Sequence, residues 1–146
     1  MARAPLVQNT RMDIWIPILV LTLASAFGFW WKQNQGRVRS SKGLHNFISK
    51  SEIGIDLGSR VTVVQFSSSF CSPCKATAAI ITNLVKEMDD VAYVQIQSEQ
   101  NIELIEKFEI KSTPTVIFFN GMGMEVGRAT GTPSNDQVLA AIASVR

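Results

Sequence analysis

The two cysteines of the 146-residue chain, Cys71 and Cys74, stand together in Phe70-Cys71-Ser72-Pro73-Cys74-Lys75. An apolar β-like run, Val61 to Phe66, comes just before them, and a helical run from Ala76 to Met88 comes just after. A strand that delivers Cys-x-x-Cys to the start of a helix puts thiol chemistry under the helix dipole. Unpaired N–H groups and the positive dipole end stabilise a thiolate, the form that attacks disulfides. The second cysteine, one helical turn along, can close a ring with the first. Thiol–disulfide exchange is the chemistry this arrangement points to.

Two cysteines are too few for a disulfide-stapled scaffold, so the pair reads as redox or metal rather than structural. A structural zinc site wants four Cys/His ligands and a catalytic one usually three. The single histidine, His45, is 26 positions before Cys71 and outside the periodic segments, and it reads as a solvated linker residue. No metal and no cofactor is expected.

Charge is unevenly divided. Residues 1–58 hold seven Lys/Arg against three Asp/Glu, and residues 59–146 hold seven against nine. The C-terminal part is mildly acidic and carries no basic patch, which argues against nucleic acid as a partner.

Ile14 to Trp31 is eighteen residues without a charge. At ~1.5 Å per residue it would cover about 27 Å, close to the hydrocarbon thickness of a bilayer. Trp15 at one end and Trp30-Trp31 at the other suit interfacial belts, and Pro17 falls in the first turn. A single-pass N-terminal anchor is the expectation. The alternative is a secretory signal, with Ala24-Ser25-Ala26 as the cleavage site and export of the remainder after Ala26. Lys32, Arg37, Arg39 and Lys42 follow the apolar run, while Arg3, Arg11 and the amino terminus precede it. The positive-inside tendency leans by one charge toward a cytoplasmic C-terminal domain, and either face stays open. Residues 1–13 read as a tail, 14–31 as the span, 32–57 as a basic juxtamembrane linker and 58–146 as the folded domain.

Within 58–146 the pattern alternates. Val61 to Phe66 is a buried strand. The following helix carries Ile80, Ile81, Leu84, Val85 and Met88 on one face. Val91 to Gln97 is a second strand. Ser98 or Asn101 caps a helix with Ile102, Leu104, Ile105 and Phe108 inward. Thr115–Asn120 and Glu125–Thr130 form a hairpin about Gly121-Met122-Gly123, and a last helix runs from Pro133-Ser134 to Ser144 with Val138, Leu139 and Ile142 buried. The order β-α-β-α-β-β-α gives one mixed sheet with helices on both faces and the cysteines at the C-terminal end of a strand.

Cys71-x-x-Cys74 together with Ser112-Thr113-Pro114-Thr115, whose proline is 43 positions after Cys71, resembles the thioredoxin family over about residues 58–146. The resemblance implies a thioredoxin-like three-layer α/β sandwich on a mixed four-stranded sheet, here behind an N-terminal transmembrane helix. It implies a cis Thr113–Pro114 bond facing the cysteine pair and a substrate groove of Phe70, Ser72, Pro73, Thr113, Pro114 and Gly131. Phe70 is expected to pack over the pair. In the family, tryptophan and glycine occupy the positions of Phe70 and Ser72. A buried aspartate stands where this chain has Gln65, and its lysine partner where this chain has Tyr93. Deprotonation of Cys74 therefore lacks the family's usual acceptor.

The function implied is a membrane-tethered protein-disulfide oxidoreductase, with Cys71 attacking and Cys74 resolving. Its partners would be protein disulfides or dithiols and a separate electron donor, and it would act as a monomer. The direction of exchange is left to the redox poise of the compartment. Two other readings stand beside it: a binding module whose cysteines are structural or regulatory, and a Cu(I) carrier using the thiolate pair.

Overall fold

β-Branched and aromatic residues dominate the runs that become strands, and the burial of those runs explains why. In a computed structural model that describes residues 10–34, 37–40 and 46–145, Val61–Ser67 (β2) is buried at all seven positions. Its neighbours are Val91–Gln97 (β3), parallel to it, and Thr115–Asn120 (β4), antiparallel. Glu125–Thr130 (β5) returns antiparallel beside β4. These are the four strands expected. A two-residue strand, Arg39–Ser40 (β1), adds a fifth at the outer edge, in the order β1-β5-β4-β2-β3. It comes from the stretch expected to be an unstructured linker: two residues have no periodicity to read, and their pairing with Arg128 and Gly127 is a tertiary event.

Alternation along β2 sends Val61 and Val63 to one face and Val64 and Phe66 to the other. The first face joins Val116 and Phe118 to Ile81 of the helix Ser72–Val85 (α3) and to Val138 and Ile142 of the helix Asn135–Ser144 (α5). The second joins Ile117 and Phe119 to Leu104 of the short helix Ile102–Lys107 (α4), to Phe108, and to Ile53 of the helix Lys50–Ile53 (α2). Phe108 stacks edge-on to Phe119 with ring centroids 5.5 Å apart and tilts against Phe66 at 6.0 Å. Such aromatic pairs add about 0.5–1.5 kcal/mol beyond the area they bury.

Packing of the domain begins before residue 58. Ile48 and Ile53 are core residues, and the Ile48 N–H donates to Gly123 O at 2.8 Å. Gly123 turns the β4–β5 hairpin at φ +78°, and a Cβ there would sit 2.2 Å from Ile48 O. Only glycine admits both the turn and this approach. Two residues expected inside lie outside: Ile102, in the first turn of α4, is 64% exposed, and Leu139 of α5 is 38% exposed. Periodicity placed both on the edge of an apolar stripe, and the neighbouring layer does not reach that edge. α3 ends at Val85 rather than Met88, although Met88 still packs against the core. Ser134 caps α5 as expected, with Gln137 returning the bond to the Ser134 N–H.

Residues 1–34 form a unit of their own, described from Thr10 as the helix Thr10–Asn34 (α1). Pro17 lies inside it, and every large apolar side chain from Trp15 to Trp31 is exposed. Among the described residues no helix is long and apolar enough to cross a membrane, so the expected transmembrane helix over 14–31 does not stand as a finding of the structure. The side chains of residues 10–14 and 32–34, like Lys42 and His45, lie outside the described residues.

Candidate active site

Cys71 caps the N-terminus of α3. Its backbone is extended and the helix starts at Ser72, with Pro73 in the first turn, where a missing N–H costs nothing. The Cys71 Sγ accepts the Cys74 N–H at 3.2 Å, so one of the helix's unpaired donors points at the sulfur. Cys74 is bonded to it through a disulfide. The two sulfurs differ in access: Cys74 is 2% exposed, whereas Cys71 is only partly covered. In the dithiol form the accessible sulfur at the helix start is the one that the dipole and the N–H favour as thiolate.

The proline segment has the expected backbone geometry and is tied to the loop ahead of the pair. The Thr113–Pro114 bond is cis. Thr113 Oγ1 and Ser68 Oγ are 3.2 Å apart, tying the proline loop to the loop that leads into Cys71. The Gly131 N–H donates to Pro114 O at 2.8 Å, with Gly131 in the left-handed region at φ +86°. Thr77 joins the next segment to α3: its hydroxyl donates to Pro73 O at 2.9 Å and lies 3.0 Å from Thr132 Oγ1. These bonds tie the proline loop to Ser68 and the Gly131–Thr132 segment to the first turn of α3, where Ser72 and Pro73 are exposed. Phe70 is different. It is 100% exposed and packs over nothing, because the turn at Ser69–Phe70 swings its side chain outward from the start of the helix.

Beneath the pair is a buried polar network. Gln65, 0% exposed, donates from Nε2 to Cys74 O at 2.9 Å and to Ser67 Oγ at 2.9 Å. Its Oε1 accepts the Tyr93 hydroxyl at 2.8 Å, and Gln95 donates to the same Ser67 Oγ at 2.8 Å. Two of the four positions where the chain departs from its resemblance, Gln65 and Tyr93, are therefore partners. Burial pushes the Tyr93 phenol up to about 12, so it stays neutral through the physiological range. Above, the Glu99 carboxylate accepts the Ser69 N–H at 2.8 Å, and that bond holds it below the usual carboxylate range. Ser68, Thr77, Glu99 and Thr132 were not singled out from the sequence. The run of hydroxyls in Ser67-Ser68-Ser69 and Gly131-Thr132 was the one available signal.

The family model described as Thioredoxin matches residues 45–144. The chain belongs to the thioredoxin family. It is 31% identical over 83 residues to Thioredoxin-2 of Saccharomyces cerevisiae, an alignment covering 57% of this chain and 79% of that one. To the thioredoxin of Mycoplasmoides gallisepticum it is 34% identical over 74 residues, 51% of this chain and 74% of that one. The crystal structure of Fasciola hepatica thioredoxin superposes with a TM-score of 0.56 at 28% identity, over 66% of this chain and 90% of its own. With the Cys-x-x-Cys pair at the start of α3, this member of the family is a thiol–disulfide oxidoreductase. The family match starts at residue 45, in keeping with the core positions of Ile48 and Ile53 ahead of the first long strand.

Proposed function

We propose that the protein exchanges disulfides with protein clients through Cys71 and Cys74 while held at a membrane by α1. The Cys71 thiolate attacks one sulfur of a client disulfide. A Cys71–client bond forms, the client's S–S bond breaks, and the other client sulfur leaves as thiolate. Cys74 then attacks the Cys71 sulfur, the mixed disulfide breaks, and the client departs reduced by two electrons while Cys71–Cys74 is oxidised. Gln65, the side chain bonded to the Cys74 turn, is an amide and takes no proton near neutrality. The departing client thiolate is the base that the step itself supplies for the Cys74 proton. Phe70, Ser72, Pro73, Thr113, Pro114 and Gly131 form the surface on which an extended client segment lies.

The observation that carries this reading is the asymmetry of the pair: a partly accessible sulfur taking a helix N–H, and a buried one behind it. Trapping tests it. Cys74→Ser should accumulate mixed disulfides through Cys71, and Cys71→Ser should not. A failure of both to trap any client would favour a binding module instead.

Membrane attachment rests on α1, whose large apolar side chains from Trp15 to Trp31 are all exposed, with no charged residue among them. The full chain should stay with membranes through alkaline carbonate washing and run on a gel at its full 16.1 kDa. Release by carbonate, or a mature form shortened to begin near Ala26, would replace the anchor with a peripheral or exported protein.

A further inference from the structure

Beside the proline loop, on the α4 side of the sheet, a cleft of about 330 Å³ brings together residues from four segments. Arg39 comes from β1, Glu109 to Ser112 from the stretch between α4 and β4, Thr115 from β4, and Arg128 and Thr130 from β5. Its charges are not balanced. Arg128 is committed: Nε and Nη2 each donate to Glu125 at 2.7 Å, and Nη1 donates to Phe108 O at 3.0 Å. Arg39 and Lys111 form no ion pair among the described residues, and Glu109 is the lone carboxylate facing them in the cleft. Two exposed cations, three hydroxyls (that of Thr115 spent on Ser112 O) and one carboxylate leave a cavity of net positive charge on a domain whose own balance is acidic.

Its position gives the charge a use. Ser112 leads into Thr113–Pro114, and Thr130 precedes Gly131, whose N–H is bonded to Pro114 O. The cleft therefore opens at the end of the sheet that carries the cysteines. β5 lies two strands and β1 three strands from β2, at ~4.8 Å per step, so the Thr130 side of the cleft is on the order of 10 Å and the Arg39 side about 14 Å from the end of β2. An extended client covers that range with about three to five residues at ~3.3 Å each.

We propose that this cleft is a carboxylate subsite, in which Arg39 and Lys111 hold an acidic side chain of the client about three to five residues from its reacting cysteine. A guanidinium presents paired donors that match a carboxylate, an ammonium adds a point charge, and Ser112 and Thr130 supply hydroxyl donors. The site rests on the oxidoreductase reading and adds substrate selection to it.

The test uses the full chain with dithiothreitol as reductant and two disulfide peptides differing only in Glu or Gln at the third to fifth residues from the cysteine. The Glu peptide should be turned over with about three- to tenfold higher kcat/KM, carried by KM, and the preference should shrink with added salt. Arg39→Gln and Lys111→Gln should each move the Glu-to-Gln ratio toward one, Lys111→Arg should retain it, and Glu109→Gln should raise it. Urea midpoints report folding of each variant separately. Equal turnover of the two peptides by the wild type, or a preference that survives in the Arg39→Gln/Lys111→Gln double variant, overturns the subsite alone. Turnover of neither peptide overturns the oxidoreductase reading and the subsite with it.

Discussion

Tyr93→Phe should cost this domain far more than the loss of one exposed hydroxyl would. The phenol donates to Gln65 Oε1 at 2.8 Å, and Gln65 is 0% exposed with both amide hydrogens already placed on Ser67 and Cys74. Removing the hydroxyl leaves a buried amide oxygen without its donor, a penalty of about 1–3 kcal/mol. At ~4–8 °C per kcal/mol for a domain of this size, the thermal midpoint of the oxidised protein should fall by about 10 °C. Gln65→Met in the same background removes the stranded acceptor, so the double variant should be less destabilised than the sum of the singles by about 1 kcal/mol. Calorimetry or circular dichroism on the four proteins reads this cycle directly.

Alkaline pH supplies a second arm. The folded phenol titrates near 12 because burial disfavours its anion, whereas an unfolded tyrosine titrates near ~10. Between those values the fold keeps a proton that the unfolded chain has lost, so wild-type stability should drop as pH rises through that window. Tyr93→Phe has no such proton, and the gap between the two proteins should narrow above pH ~10. A variant that melts within about 2 °C of wild type, or two stability curves that stay parallel from pH ~9 to 12, would refute the network as a structural element.

Two further substitutions probe the framework around the site. Glu109 sits just past the end of α4 with φ +51°, a left-handed conformation that costs a side-chain-bearing residue about 1 kcal/mol relative to glycine, so Glu109→Gly should raise the melting temperature by a few degrees. Arg128→Met should be severe, at about 3–5 kcal/mol in urea unfolding, because it strands the buried Glu125 carboxylate without its guanidinium; Arg128→Met/Glu125→Leu should recover much of the loss.

Much of the domain was legible because its signals are local. The β-branched run at Val61, the stripe through Ile81 and Leu84, and the Ser134 cap each lie within a few residues of chain, where backbone geometry turns spacing into a face. The order of those elements, with Cys71-x-x-Cys74 and Thr113-Pro114 at their positions, was enough to read the fold and the cis bond before Pro114. What escaped were features made by contact at a distance. Arg39–Ser40 is a strand solely because β5 offers it an edge. Phe70 looked like a cover for the pair, and only the path of the turn ahead of α3 sends it into solvent.

The covalent and periodic features of the sequence determined the layered fold, the thiol chemistry and which helix start would carry it. Tertiary structure decided how the site is supported and whom it can favour. Gln65 and Tyr93 are 28 positions apart and meet because β2 and β3 run parallel in one register. Arg39, Lys111 and Arg128 share a cleft because three segments converge at one end of the sheet. Burial and charge balance are properties of such convergences, which spacing along a chain does not encode.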